Sequence, residues 1–332
     1  MRESDLIELL SNGLLFDERG VVRGVGDDCA VLEAGEGRAW LVTVDQQIEG
    51  VHFLAGVATP EDVGHKALAV SLSDIAAMGG TPRHAFLTLA LPAGAGSDWA
   101  RSFRDGFGSL AKRFGVNLLG GDVARSPGGV LVTVTVLGEA ERSRVLFRDG
   151  AHEGDRVFVT GHLGLAAAGL DRLRAGVPRA SHDPLIEAHL RPEPRVREGR
   201  WLADSGAVSA CIDVSDGLAL DLTRLCSRSG VGVRVEEGAV LIAPSLLEHA
   251  GGDRERALAL ALVGGENYEL CFTVAAEAAA GLRVLCAAQL DVPITDIGEI
   301  TARDAGFLRV RQGRTPSPLA GGFDHFQESA RE

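Results

Sequence analysis

The sequence predicts a two-domain α/β (α+β) protein, and three observations carry that expectation. Short apolar or alternating runs recur between stretches of helical periodicity along the whole chain. The pattern breaks once, in the polar, turn-rich segment "ERSRVLFRDGAHEGD" (141–155). The length of 332 residues, 45% of them hydrophobic, suffices for one large or two medium domains, each with its own core. The boundary is expected near 140–152, with an N-terminal domain over 1–140 and a C-terminal α/β domain over 150–326.

In the first half, "RAWLVTVD" (38–45), "HAFLTLALP" (84–92) and "GVLVTVTVLGEA" (129–140) read as strands, being apolar or alternating over strand lengths. The segment "TPEDVGHKALAVSLSDIAAMGG" (59–80) reads as a helix, with Pro and acids at its start and Gly-Gly at its end. A second helix, "SDWARSFRDGFGSLAKRFGV" (97–116), would be capped by Ser97 or Asp98. Its Trp99, Phe103, Phe107, Leu110 and Phe114 recur at helical spacing and read as core. In the second half, strand "DRVFVTG" (155–161) and helix "LGLAAAGLDRLRAG" (163–176) lead into a Pro- and Arg-rich connector (182–199). Strand "VSACIDVS" (208–215), a helix in "DGLALDLTRLCSRSG" (216–230) and strand "VGVRVEEG" (231–238) follow. Helices across 245–263, strand "YELCFTV", helix 276–289 and strands "ITDIGEI" and "FLRVRQG" complete the pattern.

The formal net charge of −13 argues against nucleic acid as a partner, since phosphate backbones demand clustered cations. Lys66 and Lys112 are the only lysines, so any side-chain phosphate clamp would be Arg. The five cysteines (Cys29, Cys211, Cys226, Cys271, Cys286) are odd in number, contain no C-x-x-C pair and mostly lie in apolar segments, which suggests reduced, buried thiols. The first residues lack a basic stretch followed by an apolar one, and no run of 18 apolar residues occurs. The chain is therefore expected to be cytoplasmic, without a membrane partner.

Aspartates punctuate the apolar segments. Asp27 and Asp28 stand together in "GVGDDC", Asp45 closes "AWLVTVD", Asp122 follows "VNLLGG", and Asp213 and Asp216 flank "VS" in "CIDVSDGL". Each of these also reads as a turn residue or helix cap. Asp74, inside the apolar helix "ALAVSLSDIAAMGG", has no capping reason to be there. Strand ends in α/β sheets are where ligands bind, and a carboxylate in apolar surroundings is costly unless paired. Together the acids favour a site for a hard cation such as Mg2+, and Mg2+ in a Gly-rich setting usually accompanies a nucleotide phosphate. No G-x-x-x-x-G-K-[ST], H-E-x-x-H, G-x-S-x-G or kinase H-R-D/D-F-G set occurs, and "GVGDDC" sets acids where a dinucleotide fingerprint needs open space.

In order, "GVGDDCAVL", "TVDQQIEGVHF", "KALAVSLSDIAAMGG", "LLGGD", "VTGHLG", "IDVSDGL", "GGENYELCFTV" and "GGFDHF" resemble the motifs of the thiamine-monophosphate kinase family. That family belongs to a wider group with aminoimidazole ribonucleotide synthetase, selenophosphate synthetase and a hydrogenase-maturation protein. The resemblance implies ATP-dependent phosphorylation of thiamine monophosphate to thiamine diphosphate, by direct transfer with several Mg2+ ions. It implies a homodimer whose N-terminal mixed sheets join in a barrel-like sheet. Motif matching implies Mg2+ ligands at Asp27, Asp28, Thr43, Asp45, Asp74, Asp122, Asp213 and Asp216, and ATP contacts at Gly121, Asp122, Arg148 and Ser215. It places His52, Glu266 and Phe323 around the thiamine moiety. No catalytic base is expected, because the attacking phosphate oxygen is already anionic. Four departures from the family pattern stand out: Gln47 for an apolar residue, Val123 and Ala124 where threonines are common, Asn267 for Asp, and Phe323 where Trp or Tyr is frequent. The alternatives are another ATP-using member of the wider group, a Mg2+-dependent phosphohydrolase, or a non-catalytic nucleotide-binding protein.

Overall fold

A computed structural model describes residues 3–179 and 183–326. After a short exposed helix α1 (Glu3–Ser11), the N-terminal half folds as β1 (Val21–Arg23), β2 (Ala30–Gly35), β3 (Arg38–Ile48), α2 (Pro60–Ala77), β4 (Thr81–Leu91), α3 (Ser97–Phe114), β5 (Asn117–Arg125) and β6 (Leu131–Glu141). Its six strands form one mixed, open sheet in the order β1-β2-β3-β6-β4-β5. Only the β4–β5 pair is parallel, because α3 carries the chain back between them.

The second half comprises β7 (Arg156–Thr160), α4 (Leu165–Arg174), α5 (Pro184–Leu190), α6 (Val196–Ser205), β8 (Val208–Val214), α7 (Leu218–Ser229) and β9 (Gly232–Glu236). It continues with α8 (Pro244–His249), α9 (Arg254–Val263), β10 (Glu269–Val274), α10 (Ala276–Gln289), β11 (Ile294–Thr301), β12 (Phe307–Val310) and β13 (Ser317–Pro318). Its seven-stranded sheet runs β13-β12-β9-β11-β7-β10-β8. Among the described residues no helix is long and apolar enough to cross a membrane. All five cysteines are free and buried.

Helix α2 sits between the two sheets. Thr59 and Asp62 form a reciprocal capping box ahead of Pro60, and nearly every residue beyond is buried. Gly64 and Gly106 let α2 and α3 touch backbone to backbone; a Cβ would lie 2.1 Å from the Phe103 carbonyl oxygen at the first and 1.9 Å from that of Glu61 at the second. The core therefore does not divide into one per half. One cluster joins α2, α3 and the inner face of the first sheet to Phe158, Cys211, Leu270 and Phe272 of the second. A second cluster fills the far face of the second sheet, under α7 and α9, and a small third one gathers Leu173, Ile186 and Leu190 between α4 and α5.

Three local expectations change. Helix α3 begins after Gly96, which makes no side-chain cap, so neither Ser97 nor Asp98 caps it. The connector is helical: Asp183 accepts from the N–H groups of Leu185 and Ile186 to start α5, and α6 follows (residue 182 lies outside the described residues). Strand β3 runs past Asp45 to Ile48, placing Asp45 in mid-strand rather than at an exit.

Candidate active site

Adjacent carboxylates in the β1–β2 turn are held by arginines, Arg23 lying 3.9 Å from Asp27. The guanidinium of Arg148, just beyond β6, grips buried Asp28 through both oxygens, Nη2 to Oδ1 at 2.6 Å and Nε to Oδ2 at 3.2 Å. The Arg148 backbone N–H meets the Asp27 carboxylate at 3.3 Å. Burial, then the charge of Asp28, pushes the Asp27 carboxyl up to about 6.

Three further acids close on this pair. Asp45, on the β3 face turned to α2, lies against Ser71 and Asp74. Thr43, two residues earlier on the same face, donates its hydroxyl to Asp74. Asp213, at the end of β8, accepts from the Ser73 hydroxyl at 2.7 Å. One carboxylate oxygen each from Asp28, Asp74 and Asp213 lie within 4.8 Å of one another. Burial first, then the neighbouring acids, pushes the carboxyls of Asp74 and Asp213 well above the usual range, and burial also raises that of Asp45. The Oδ2 of Asp45 is buried with no hydrogen-bond partner.

Asp216 stands apart from that triangle. It pairs with Arg224 at 2.5 Å and does not cap α7, whose N-cap position is Gly217. Its backbone N–H instead donates to Asp221, a buried acid raised to about 7 by burial and by Asp216. Ser215 lends its carbonyl to the N–H of Glu266 at 2.6 Å. Gly121 and Asp122 lie on exposed edge strand β5, opposite Leu87 and Thr88. Gly121 is required there: its φ is +151° and a Cβ would come 1.7 Å from the Leu87 carbonyl oxygen. Register runs Asp45–Val134–Leu87–Gly121 across β3, β6, β4 and β5, so Gly121 is three strand spacings, about 14 Å, from Asp45. Asp122 projects from the opposite face of the sheet.

The three residues matched to the thiamine moiety are linked through His325 and Lys66. The His52 ring stands 5.2 Å from that of His325, which meets Phe323 edge-on at 4.8 Å. Phe323 hangs from Asp216 by a backbone hydrogen bond of 2.9 Å. Glu266 is gripped by Lys66 at 2.6 Å and His189 at 2.9 Å. Although burial opposes it, those partners hold the Glu266 carboxyl down at about 2. Lys66 also donates to the His52 carbonyl at 3.0 Å. Sequence reasoning missed Lys66, His189, Asp221 and His325 as site residues. The one available signal was Lys66, one of two lysines, inside a helix that also carries Asp74.

The Asn267 departure has a local account. Its Oδ1 accepts from the Gly164 N–H and its Nδ2 donates to the Gly264 carbonyl, both at 2.6 Å. An ionised Asp could make only the first of these.

A family model described as AIR synthase related protein, N-terminal domain, matches residues 26–140, and its C-terminal counterpart matches residues 152–311. Fold and site thus define a two-sheet α/β protein of the AIR synthase related class. Among curated relatives, the thiamine-monophosphate kinase of Salmonella typhimurium is 40% identical over 310 residues, 92% of this chain and 92% of that protein. The Bacillus subtilis thiamine-monophosphate kinase is 38% identical over 332 residues, 98% of this chain and 100% of that one. The solved structure of AaThiL complexed with AMPPCP and TMP covers 98% of this chain and 97% of that chain at 31% identity, with a TM-score of 0.82. This chain belongs to the thiamine-monophosphate kinase family, and it is an enzyme, a transferase of the kinase type.

Proposed function

We propose that this chain transfers the γ-phosphoryl group of ATP in line to the phosphate of thiamine monophosphate, forming thiamine diphosphate. The observation that carries this reading is the meeting of Asp28, Asp74 and Asp213, from a turn, a helix and a strand far apart in sequence, at the same helix α2 whose Lys66 holds Glu266 and the His52 turn. Two anionic reactants repel, so catalysis here means neutralisation and placement.

The acid cluster fits Mg2+. Its donors are all oxygens, Asp74 and Asp213 within it are raised by burial and by neighbouring acids, and Asp45 offers a buried oxygen without a partner. Asp28, Asp74 and Asp213 would hold one ion, with Asp27, Thr43 and Asp45 adjoining and Asp216 available to another. When bound, Mg2+ offsets phosphate charge. The chain's own work is orientation: Arg148 and Ser215 address the ATP phosphates, and His52, Glu266 and Phe323 address the thiamine rings. Glu266, ionised and partly exposed, suits a cationic ring. No side chain acts as base.

The same reading divides the chain into an N-terminal ATP- and Mg2+-binding and dimerisation domain over 1–140 and a C-terminal α/β domain over 150–326, which adds Asp213, Ser215 and Asp216, in a cytoplasmic homodimer. Supporting the dimer are unpaired edge strand β5, with exposed Leu118, Leu119 and Val123, and the apolar outer sheet face around Val44 and Phe86. Gly121 and Asp122 join a phosphate site once a second copy brings them there. Phe86→Glu is therefore expected to yield monomers in size-exclusion chromatography with light scattering, and to lower activity; a dimer of full activity would refute the shared face.

The deciding experiment incubates the protein with ATP, Mg2+ and thiamine monophosphate and separates nucleotides and thiamine esters chromatographically. Equimolar ADP and thiamine diphosphate are expected. ADP and free phosphate with thiamine monophosphate unchanged would point instead to a phosphohydrolase or another acceptor.

A further inference from the structure

We propose that Lys66 is the positioning residue of the thiamine end of the site, fixing Glu266 and the His52 turn in one geometry. The inference rests on the functional reading above and adds a residue to it. Lys66 is 2% exposed, although lysine is among the side chains least often fully buried. Its ammonium reaches two segments at once: the Glu266 carboxylate at 2.6 Å, from the turn before β10, and the His52 carbonyl at 3.0 Å, from the turn after β3. The ammonium thus makes one hydrogen bond, to a carbonyl in the first half of the chain, and one ion pair, to a carboxylate in the second.

The Glu266 turn needs holding. Glu266 and Tyr268 have φ of +62° and +52°, a left-handed backbone that non-glycine residues seldom adopt. Asn267 between them ties the turn to Gly164 and Gly264 from one side, while Lys66 and His189 grip the carboxylate from the other. An arginine fork is planar and wider, whereas a compact ammonium can sit between a carbonyl and a carboxylate. That need accounts for a lysine here in a chain whose other cations are nearly all arginine.

The test is steady-state kinetics on Lys66→Met, Glu266→Gln and the double variant, varying ATP and thiamine monophosphate separately. Lys66→Met should raise KM for thiamine monophosphate about 30-fold or more, while kcat and KM for ATP stay within about threefold. Because Lys66 and Glu266 act as one unit, the double variant should lose clearly less than the product of the two single losses. The double variant leaves neither charge unpaired, so it reports even if Lys66→Met folds poorly. Unchanged KM, an equal loss against both substrates, or multiplying losses would overturn the inference while parental turnover left the functional reading intact. No turnover of thiamine monophosphate by the parent would overturn both.

Discussion

Replacing Asp74 by Asn is expected to abolish phosphoryl transfer and, in the metal-free protein at pH 8, to raise the melting temperature. Asn keeps the size of the side chain and can still accept from Thr43, but it removes one negative charge from the place where Asp28, Asp45 and Asp213 crowd together. A loss of at least about 10³-fold in kcat is expected where one group stabilises transferred charge. The stability gain follows from linkage. Burial, then the charges of Asp45, Asp213 and Asp28, pushes the Asp74 carboxyl well above its ordinary 3.8. The folded chain consequently binds more protons than the unfolded one above that value, and its stability falls as pH rises through the window up to the raised value. Asp74→Asn removes one contributor, so melts in EDTA at pH 5 and pH 8 should differ less in the variant than in the parent. Retained activity, or an unaltered pH difference, would mean that Asp74 is not at the charged centre.

Arg148→Met should destabilise the metal-free protein by about 3 kcal/mol or more, because removing one member of a buried ion pair strands the other. The side chain of Asp28 is fully shielded and that of Arg148 is 21% exposed, so solvent screens little of the loss. Urea denaturation with and without Mg2+ provides the check. If a cation can neutralise these carboxylates, Mg2+ should restore stability to the variant more than to the parent. Equal responses would place the cation elsewhere.

Local signals account for what was legible in the sequence. Strand β6 announced itself because Val132, Val134 and Val136 alternate into the core. Helix α2 was readable from Pro60, its acids and its closing Gly-Gly rather than from periodicity, since a helix covered on all sides has no polar face to set the phase. Helix α5 was lost because two prolines and three arginines nearby suggested a loop, although Asp183-Pro184 is itself a start signal. Asp74 could be singled out because nothing local excused it. Lys66 offered only its rarity: a lysine in the second turn of a helix reads as solvated, and its partner Glu266 is 200 residues away. The shared core was equally hidden, since no local pattern tells that one helix serves two sheets.

Lys66 and Asp74 stand on one rigid helix, eight residues apart, which at helical rise is about 12 Å along the axis. On the proposed reading, helix α2 is a gauge block with the cation-binding carboxylates at one end and the Lys66 anchor of Glu266 at the other. On that reading it would measure the substrate from ring to phosphate. An analogue with one extra methylene between thiazolium and phosphate would engage either end but not both, and should act as an inhibitor in place of a substrate. Selection by length, built into a helix that cannot stretch, would then discriminate among thiamine esters without a single residue reading the phosphate itself.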